Sequence, residues 1–415
     1  MSLESGIEGD PIELSGPAFF RDPYAVYARL RAVPYPVFYP NTGSWLVSRF
    51  ADVEVLLRDP RVSKKMERAS PTPFERSILF RDAPESTRIR GQLNQAFSTV
   101  LSGDIELRIR QIADELIDEL ERGSTFDFLQ RFALPLPVAA ITELLGIPQQ
   151  DRERLHRWSA AFIVEDGTPA AEMQQRQLAA ITGLEEYFGK LVDSPGSVPV
   201  HSFVGALLTQ GEAQDRLSKD DVVCNCILLL LAGHETTVNL LGNGLYLLLK
   251  ERERFERMKR EPNLLPSAIE EMLRLESPVQ YGTFRIVAEP IEVGGKTLEV
   301  GSSVTLMLGA ANRDPEAFPD PDSFDPQRTP NKHLGFGQGP HRCIGAWLAR
   351  TEARIAFTRL LERLPDIRLA DDSADANWLA DGLRRLGLRR PAEPRLPQWR
   401  QLTMLRGLRE LIVCC

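Results

Sequence analysis

Apolar residues recur at three- and four-residue intervals along most of this chain, the spacing of helices with one buried face. The pattern predicts helices over Pro23–Val33, Asp52–Arg58, Pro84–Phe97, Asp104–Arg122, Leu129–Leu145 and Asp151–Val164, with Pro148 separating the last two. Asp166–Pro169 breaks the run, and another helix follows to about Val192 before a loop at Ser194–Pro199. Ser218 or Asp220 then opens a long central helix, which at about 1.5 Å per residue spans roughly 45 Å. Only a large domain buries such a helix. Pro266–Glu276 is helical too, and a last helix runs from Ile344 to about Arg363.

Period-two alternation is rarer. Gly43–Val47 reads as a strand after the turn at Pro40–Asn41, and Ile286–Leu308 alternates about a hairpin turn at Gly294–Gly295. Val62–Ala83, broken by Pro71 and Pro73, and Asn312–His333 are irregular. Long irregular segments inside a compact domain are functional or tightly packed. With no internal repeat and no linker, residues 1–415 are expected to form a single large domain, mainly α with a small β portion.

Composition narrows the partners. The chain is 43% hydrophobic and 26% charged, an ordinary globular balance, and its formal charge of −8 argues against nucleic acid. The start, MSLESGIEGD, has neither a basic nor an apolar stretch, so a cytoplasmic protein is expected. The most apolar segment, Val222–Lys250, is interrupted by His234, Glu235, Thr236 and Thr237. Its longest apolar run, Cys226–Gly233, is far below the roughly 18 residues of a membrane span, so a core helix and no membrane are expected. Cys224, Cys226, Cys343, Cys414 and Cys415 are too few, and odd in number, for a disulfide framework. Gly295-Lys296-Thr297 resembles the end of a phosphate loop, but Pro290 stands where its first glycine belongs; no dinucleotide fingerprint opens a helix.

Candidate chemistry gathers at FGQGPHRCIG, Phe336–Gly345, where one cysteine sits among three glycines just before a helix. A buried inert thiol is one reading. A zinc site through His333, His341 and Cys343 lacks a fourth ligand. A third reading is a thiolate ligand to haem iron. A helix N-terminus stabilises a thiolate, and Gly337, Gly339 and Gly345 let backbone approach both a flat ligand and the sulfur.

This loop resembles the haem-binding signature F-G-x-G-x-H-x-C-x-G of the cytochrome P-450 superfamily. AGHETT, Ala232–Thr237, resembles the family's A/G-G-x-D/E-T. EEMLR contains the E-x-x-R pair Glu271 and Arg274, with Glu270 as a rival partner, and FDPQR adds Arg328. The resemblance covers nearly the whole chain. It implies haem b (iron protoporphyrin IX) between the central helix and the cysteine-loop helix, with β-rich portions at about 35–50, 286–308 and 365–413. Cys343 would be the metal ligand, and Glu271, Arg274 and Arg328 a structural triad holding its loop. Cofactor contacts would come from Arg90, Arg285, His341, Phe336, Gly337, Gly345, Ala232 and Gly233, the last leaving room for a diatomic ligand. Ser86 stands where the family often has a histidine four residues before the propionate-binding arginine.

The implied activity is a monooxygenase that inserts one oxygen atom of O2 into a C–H bond of a medium-sized apolar molecule, in secondary or fatty-acid metabolism. Thr236 and Glu235 would be its catalytic residues, the first bonding the oxygen and the second relaying protons. The alternatives are a haem-thiolate enzyme using peroxide or catalysing coupling or rearrangement, and a haem-binding sensor without turnover. Family topology lines the substrate pocket with Ser63–Ala83, Phe162–Pro169, Leu228–Thr236, Val279–Phe284 and Leu402–Leu405, so Leu228, Val279, Gln280, Tyr281, Thr283 and Met404 are expected there. Electrons would come from a ferredoxin or flavodoxin with its reductase, and NAD(P)H would act only through them. The carrier would dock at Arg342, Arg350 and Arg354 on a monomeric protein. Residues 373–395 look like an insertion with a basic amphipathic helix, before a tail that resembles the family's at Trp399–Leu411.

Overall fold

The central helix forms in two halves, Lys219–Gly233 and Glu235–Leu249, joined at His234. Ser218 starts it with a reciprocal cap: its hydroxyl accepts the Asp221 N–H at 3.0 Å while the Asp221 carboxylate faces the Ser218 N–H. At the joint, the Thr236 and Thr237 hydroxyls donate to the carbonyls of Ala232 and Gly233, a back-bonding that bends helices. This stretch is long and apolar enough to cross a membrane, yet its side chains are the core of the molecule. The computed structural model describes residues 12–65, 69–101, 104–120, 123–163, 168–194, 196, 198–209, 216–370 and 397–415. The expected insertion at 373–395 therefore lies outside the described residues.

Other helices wrap this axis. Ala170–Asp193 lies across the first half and also packs on Arg152–Phe162. Ala346–Arg363, the helix after the cysteine loop, packs on Ile105–Asp118, Leu265–Leu275 and the second half. Pro135–Leu145 touches both halves, and one large apolar cluster runs through all of them. Prolines shape the approach to that helix: Leu129–Ala133 is a wide turn, and the α-helix begins only at Pro135, later than apolar spacing predicts. A short helix at Gly16–Arg21 was not visible in the pattern.

The β portion lies to one side. Its five strands run in the order Val37–Tyr39, Ser44–Val47, Ser303–Leu306, Ile286–Val287, Val62–Ser63. Ser44–Val47 pairs in parallel with Ser303–Leu306, from Ser44 opposite Ser303 to Val47 opposite Leu306. Ile291–Val293 and Lys296–Leu298 make the expected hairpin. Its Gly294 has φ +57, and a side chain there would meet the Pro34 carbonyl oxygen at 1.9 Å. A second sheet joins Thr125–Asp127, Ile412–Cys414 and Arg368–Leu369. The strands at Thr125–Asp127 and Val62–Ser63 are too short to show a period.

The C-terminal segment reaches back across the molecule. Arg406 pairs with Glu276 at 2.6 Å and donates to the carbonyls of Phe20 at 2.9 Å and Arg21 at 3.2 Å. Val279 bridges to Leu405, and Arg400 pairs with Glu235 in the joint of the central helix.

Candidate active site

The cysteine loop is anchored from behind by a saturated ion network. Leu265–Leu275 carries Glu271 and Arg274 on one face, both with fully buried side chains. Arg274 grips Glu271 through two hydrogen bonds of 2.8 Å. Its remaining donors meet the carbonyls of Asn312, Pro321 and Ser323 in the irregular segment. Glu271 also accepts from Arg328 at 3.1 Å, Asn331 at 3.1 Å and the Asp325 N–H at 3.0 Å. The rival Glu270 points elsewhere, to Arg350 at 2.7 and 2.8 Å and to His333 at 3.0 Å. Burial pushes the Glu270 carboxyl up, but hydrogen bonds from Arg350 and His333 outweigh it and hold the group down at about 2.

In the loop itself, Gly337 and Gly339 have φ of +63 and +70, and a side chain on Gly339 would strike the Leu57 carbonyl oxygen at 2.7 Å. The Cys343 N–H donates to the Phe336 carbonyl at 2.8 Å, closing a tight turn before the helix at Ala346. The Phe336 ring is covered by the Arg350 guanidinium, 4.4 Å away. Cys343 is surface-accessible although protein crowds it on nearly every side. Burial pushes its thiol up, while the Gly345 N–H and the charges of Arg90, Arg350 and Arg342 pull it down. A Cβ on Gly345 would meet no atom within 4 Å, so the chain is uncrowded at that glycine.

The central helix presents one accessible strip within its buried length. Ala232 is exposed and Thr236 half-buried, whereas His234, Glu235 and Thr237 are buried. Glu235 is held by Arg400, a partner invisible to motif reading because it lies in the C-terminal segment. His234 bonds the Leu230 carbonyl at 2.9 Å through Nδ1 and faces Ser159 and the ring of His156. Gly233 has a packing role beside the one expected of it. A side chain there would press on Ile141 Cδ1 at 3.2 Å, so its smallness also serves packing against Pro135–Leu145.

A third set of residues is basic. Arg285, beside the strand Ile286–Val287, is 3% exposed and its Nε has no partner. Arg90, on the helix Glu85–Leu101, bonds the Arg342 carbonyl and likewise leaves its Nε unpaired. His341 and the buried Lys64 complete the set. Asp82 is the acid facing them, 3.9 Å from His341, and its oxygens already accept from the Lys64 N–H and the Ser63 hydroxyl. Burial and the charges of Lys64 and Arg285 push His341 down to about 4; burial brings Arg285 down to about 10. Buried cations without carboxylate partners are costly, and two carboxylates would relieve them. Haem b offers exactly that: two propionates, a flat ring for the strip at Ala232, and iron for a thiolate. The residues therefore fit the cofactor: Cys343 would hold its iron, and Arg90, Arg285 and His341 its propionates.

The expected pocket residues divide. Leu228 is buried on the central helix, and Thr283 accepts from Lys64 beside the basic set. Met404 is 46% exposed, and Val279 packs into the sheet core. Gln280 and Tyr281 are corrections. Tyr281 packs in the N-terminal core with its hydroxyl toward Tyr27, and Gln280 turns its amide to the Ser277 carbonyl and Gly309. Among the segments expected to line the pocket, the rings of Phe74, Phe80 and Phe162 form one aromatic group, with Phe74 5.6 Å from Phe80 and 5.2 Å from Phe162. Of the segments expected to line the pocket, residues 66–68 and 164–167 lie outside the described residues. On the cysteine side, Arg350 is committed to Glu270 and Arg354 to Glu106 at 2.7 Å, which leaves Arg342 as the free cation of the three expected there. Cys224 and Cys226 are buried, their thiols pushed up by burial, and no cluster of three metal-binding side chains occurs among the described residues.

Comparison with known proteins decides the family. The family model "Cytochrome P-450" matches residues 199–365. The chain is 39% identical over 394 residues to cytochrome P-450 107B1 of Saccharopolyspora erythraea, covering 90% of this chain and 96% of that protein. This chain belongs to the cytochrome P-450 superfamily. It is 38% identical over 357 residues to the mycinamicin IV hydroxylase/epoxidase of Micromonospora griseorubida, covering 84% of this chain and 89% of that one. The crystal structure of P-450 BioI in complex with hexadec-9Z-enoic acid ligated acyl carrier protein superposes with TM-score 0.83 at 32% identity, over 96% of this chain and 99% of that one. The fold is the P-450 fold, and the chain is a P-450 monooxygenase that takes haem and O2.

Proposed function

We propose that this P-450 hydroxylates or epoxidises a medium-sized apolar small molecule of secondary or fatty-acid metabolism. Its electrons come from a cytoplasmic ferredoxin or flavodoxin with its reductase, and NAD(P)H serves only through them. The observation that carries this reading is the accessible strip Ala232–Thr236 beside a buried acid: a hydroxyl on the open face, a carboxylate behind it. Cys343 would hold haem through its thiolate, and the bound group would supply the chemistry of O–O cleavage. The protein's own part is proton handling. Glu235, once it leaves Arg400, takes up a proton at its carboxylate and passes it toward the Thr236 Oγ1. Thr236 now donates to the Ala232 carbonyl at 2.9 Å, and rotation about χ1 turns that hydroxyl to the open face. Thr237 is 2% exposed and bonds the Gly233 carbonyl, so it is not placed to substitute. The aromatic group Phe74, Phe80 and Phe162 supports an apolar substrate.

The test compares wild type, Thr236→Ala and Thr237→Ala with a surrogate ferredoxin and a substrate found by its spectral shift. In Thr236→Ala, NADPH consumption continues while the product-to-NADPH ratio falls and hydrogen peroxide rises. Uncoupling confined to Thr237→Ala would move the role to that residue. Coupling unchanged in both would remove the proton-delivery role.

A further inference from the structure

Position 86 carries serine where the family pattern often has histidine, and that serine is buried, 4% exposed, on the first turn of Glu85–Leu101. Lys64 lies nearby, joined to the same turn through Asp82: the Lys64 N–H donates to Asp82 Oδ1 at 3.1 Å, and the Ser86 N–H to the Asp82 carbonyl at 3.0 Å. The Lys64 side chain is 2% exposed, and its ammonium meets the neutral Thr283 hydroxyl and, among the described residues, no carboxylate. Lysine is almost never buried this fully without an anion. We infer that Lys64 holds a haem propionate, supplying the contact that Ser86 does not.

The charges agree. Lys64, Arg90 and Arg285 bring three cations to this corner against the single carboxylate of Asp82, an excess of two. Haem b brings two carboxylates. Asp82 has both oxygens engaged by the Lys64 N–H and the Ser63 hydroxyl, so it acts as a brace and leaves the three cations to the cofactor. Burial and Arg285 push the Lys64 ammonium down to about 7, which a carboxylate at hydrogen-bonding distance would reverse. His341, 3.9 Å from Asp82, completes the contacts as a hydrogen-bond donor. A histidine four residues before Arg90 and a lysine at position 64 reach the corner from two different segments, so one can replace the other without moving the backbone.

This assignment rests on the haem reading, and the experiment separates the two. Haem transfer to excess apomyoglobin is followed for wild type and Lys64→Met, each loaded with haem b or with its dimethyl ester, whose carboxylates are uncharged. Lys64→Met speeds loss of haem b roughly tenfold, the effect of one charge-assisted hydrogen bond, and changes loss of the diester by less than about twofold. Lys64→Gln, which keeps a donor for Thr283, gives the same pattern should the methionine variant not fold. Equal acceleration with both haems overturns the proposal, because Lys64 then supports the fold through Thr283. Unchanged loss of haem b overturns it as well. Adding Ser86→His to Lys64→Met slows haem b loss again; continued fast loss would overturn the replacement of one residue by the other. A wild type that takes up no haem b would count against the haem reading itself.

Discussion

Two arginine-rich clusters flank the cysteine loop, and they differ in what satisfies them. Around Glu271, Arg274 and Arg328 find carboxylate and carbonyl oxygens for their donors within the protein, and Glu271 accepts from four separate residues. Around Asp82, Lys64 and Arg285 are as deeply placed and Arg90 is half-buried, but among the described residues they face one acid whose oxygens are in use. A closed network is architecture. An open one is a site waiting for a ligand of opposite charge. E-x-x-R and a scattered lysine look alike in a sequence, because each is only a charged residue, and the structure separates them by counting acceptors.

The sharpest break of the comparison is Glu271→Ala. It leaves Arg274 buried and unpaired, a loss of roughly 3–5 kcal/mol, and the protein should express poorly and without haem. Normal melting and full haem content would show that the closed network is not architecture. Next is Cys343→Ala, which lies between the clusters and belongs to neither. It should keep the fold and lose the thiolate-haem absorption of the reduced, CO-bound protein; an unchanged spectrum would refute Cys343 as the ligand. Arg285→Met then probes the open cluster. Removing a buried cation that lacks a carboxylate should leave the melting temperature of the apoprotein unchanged or higher while haem is lost faster, the reverse of Glu271→Ala. An apoprotein that melts lower would put Arg285 with the architecture.

The smallest effect concerns pH. Glu270 has its carboxyl held at about 2, below its ordinary 4.5, by Arg350 and His333 despite burial. A depressed carboxyl contributes stability that is present above the unfolded value and is lost as pH falls through the folded one. Glu270→Gln should therefore flatten the loss of stability between about pH 4.5 and 2 while leaving the haem content of the folded protein intact. A wild-type acid profile in that variant would show that the Arg350 pair contributes little.

Much of this was legible in the chain. Cys343, Glu271, Arg274 and Arg328 stand in motifs whose spacing constrains geometry, because i,i+3 on a helix puts two side chains on one face. The helices were legible wherever an apolar stripe ran unbroken. What was not legible came from distance in sequence. Arg400 joins Glu235 across 165 residues, and Lys64 meets Thr283 across 219, with no local pattern to announce either. The packing of Gly233 against Ile141 was not legible because a motif says that a side chain is absent, not which neighbour lies beside it. Tyr281 and Gln280 were misread because the segment Val279–Phe284 changes sides along its length, and a topology names segments rather than faces.

The reach of the C-terminal segment has a consequence for the order of assembly. Glu235 gets its cation from Arg400, Glu276 adds Arg406 to its earlier partner Arg313, and the strand Thr125–Asp127 is paired by Ile412–Cys414. As the chain emerges from the ribosome, its acids and its strand edge are made long before their partners. Glu235 is thus set only after residue 400 has been made, and a shorter nascent chain cannot hold it as the finished protein does.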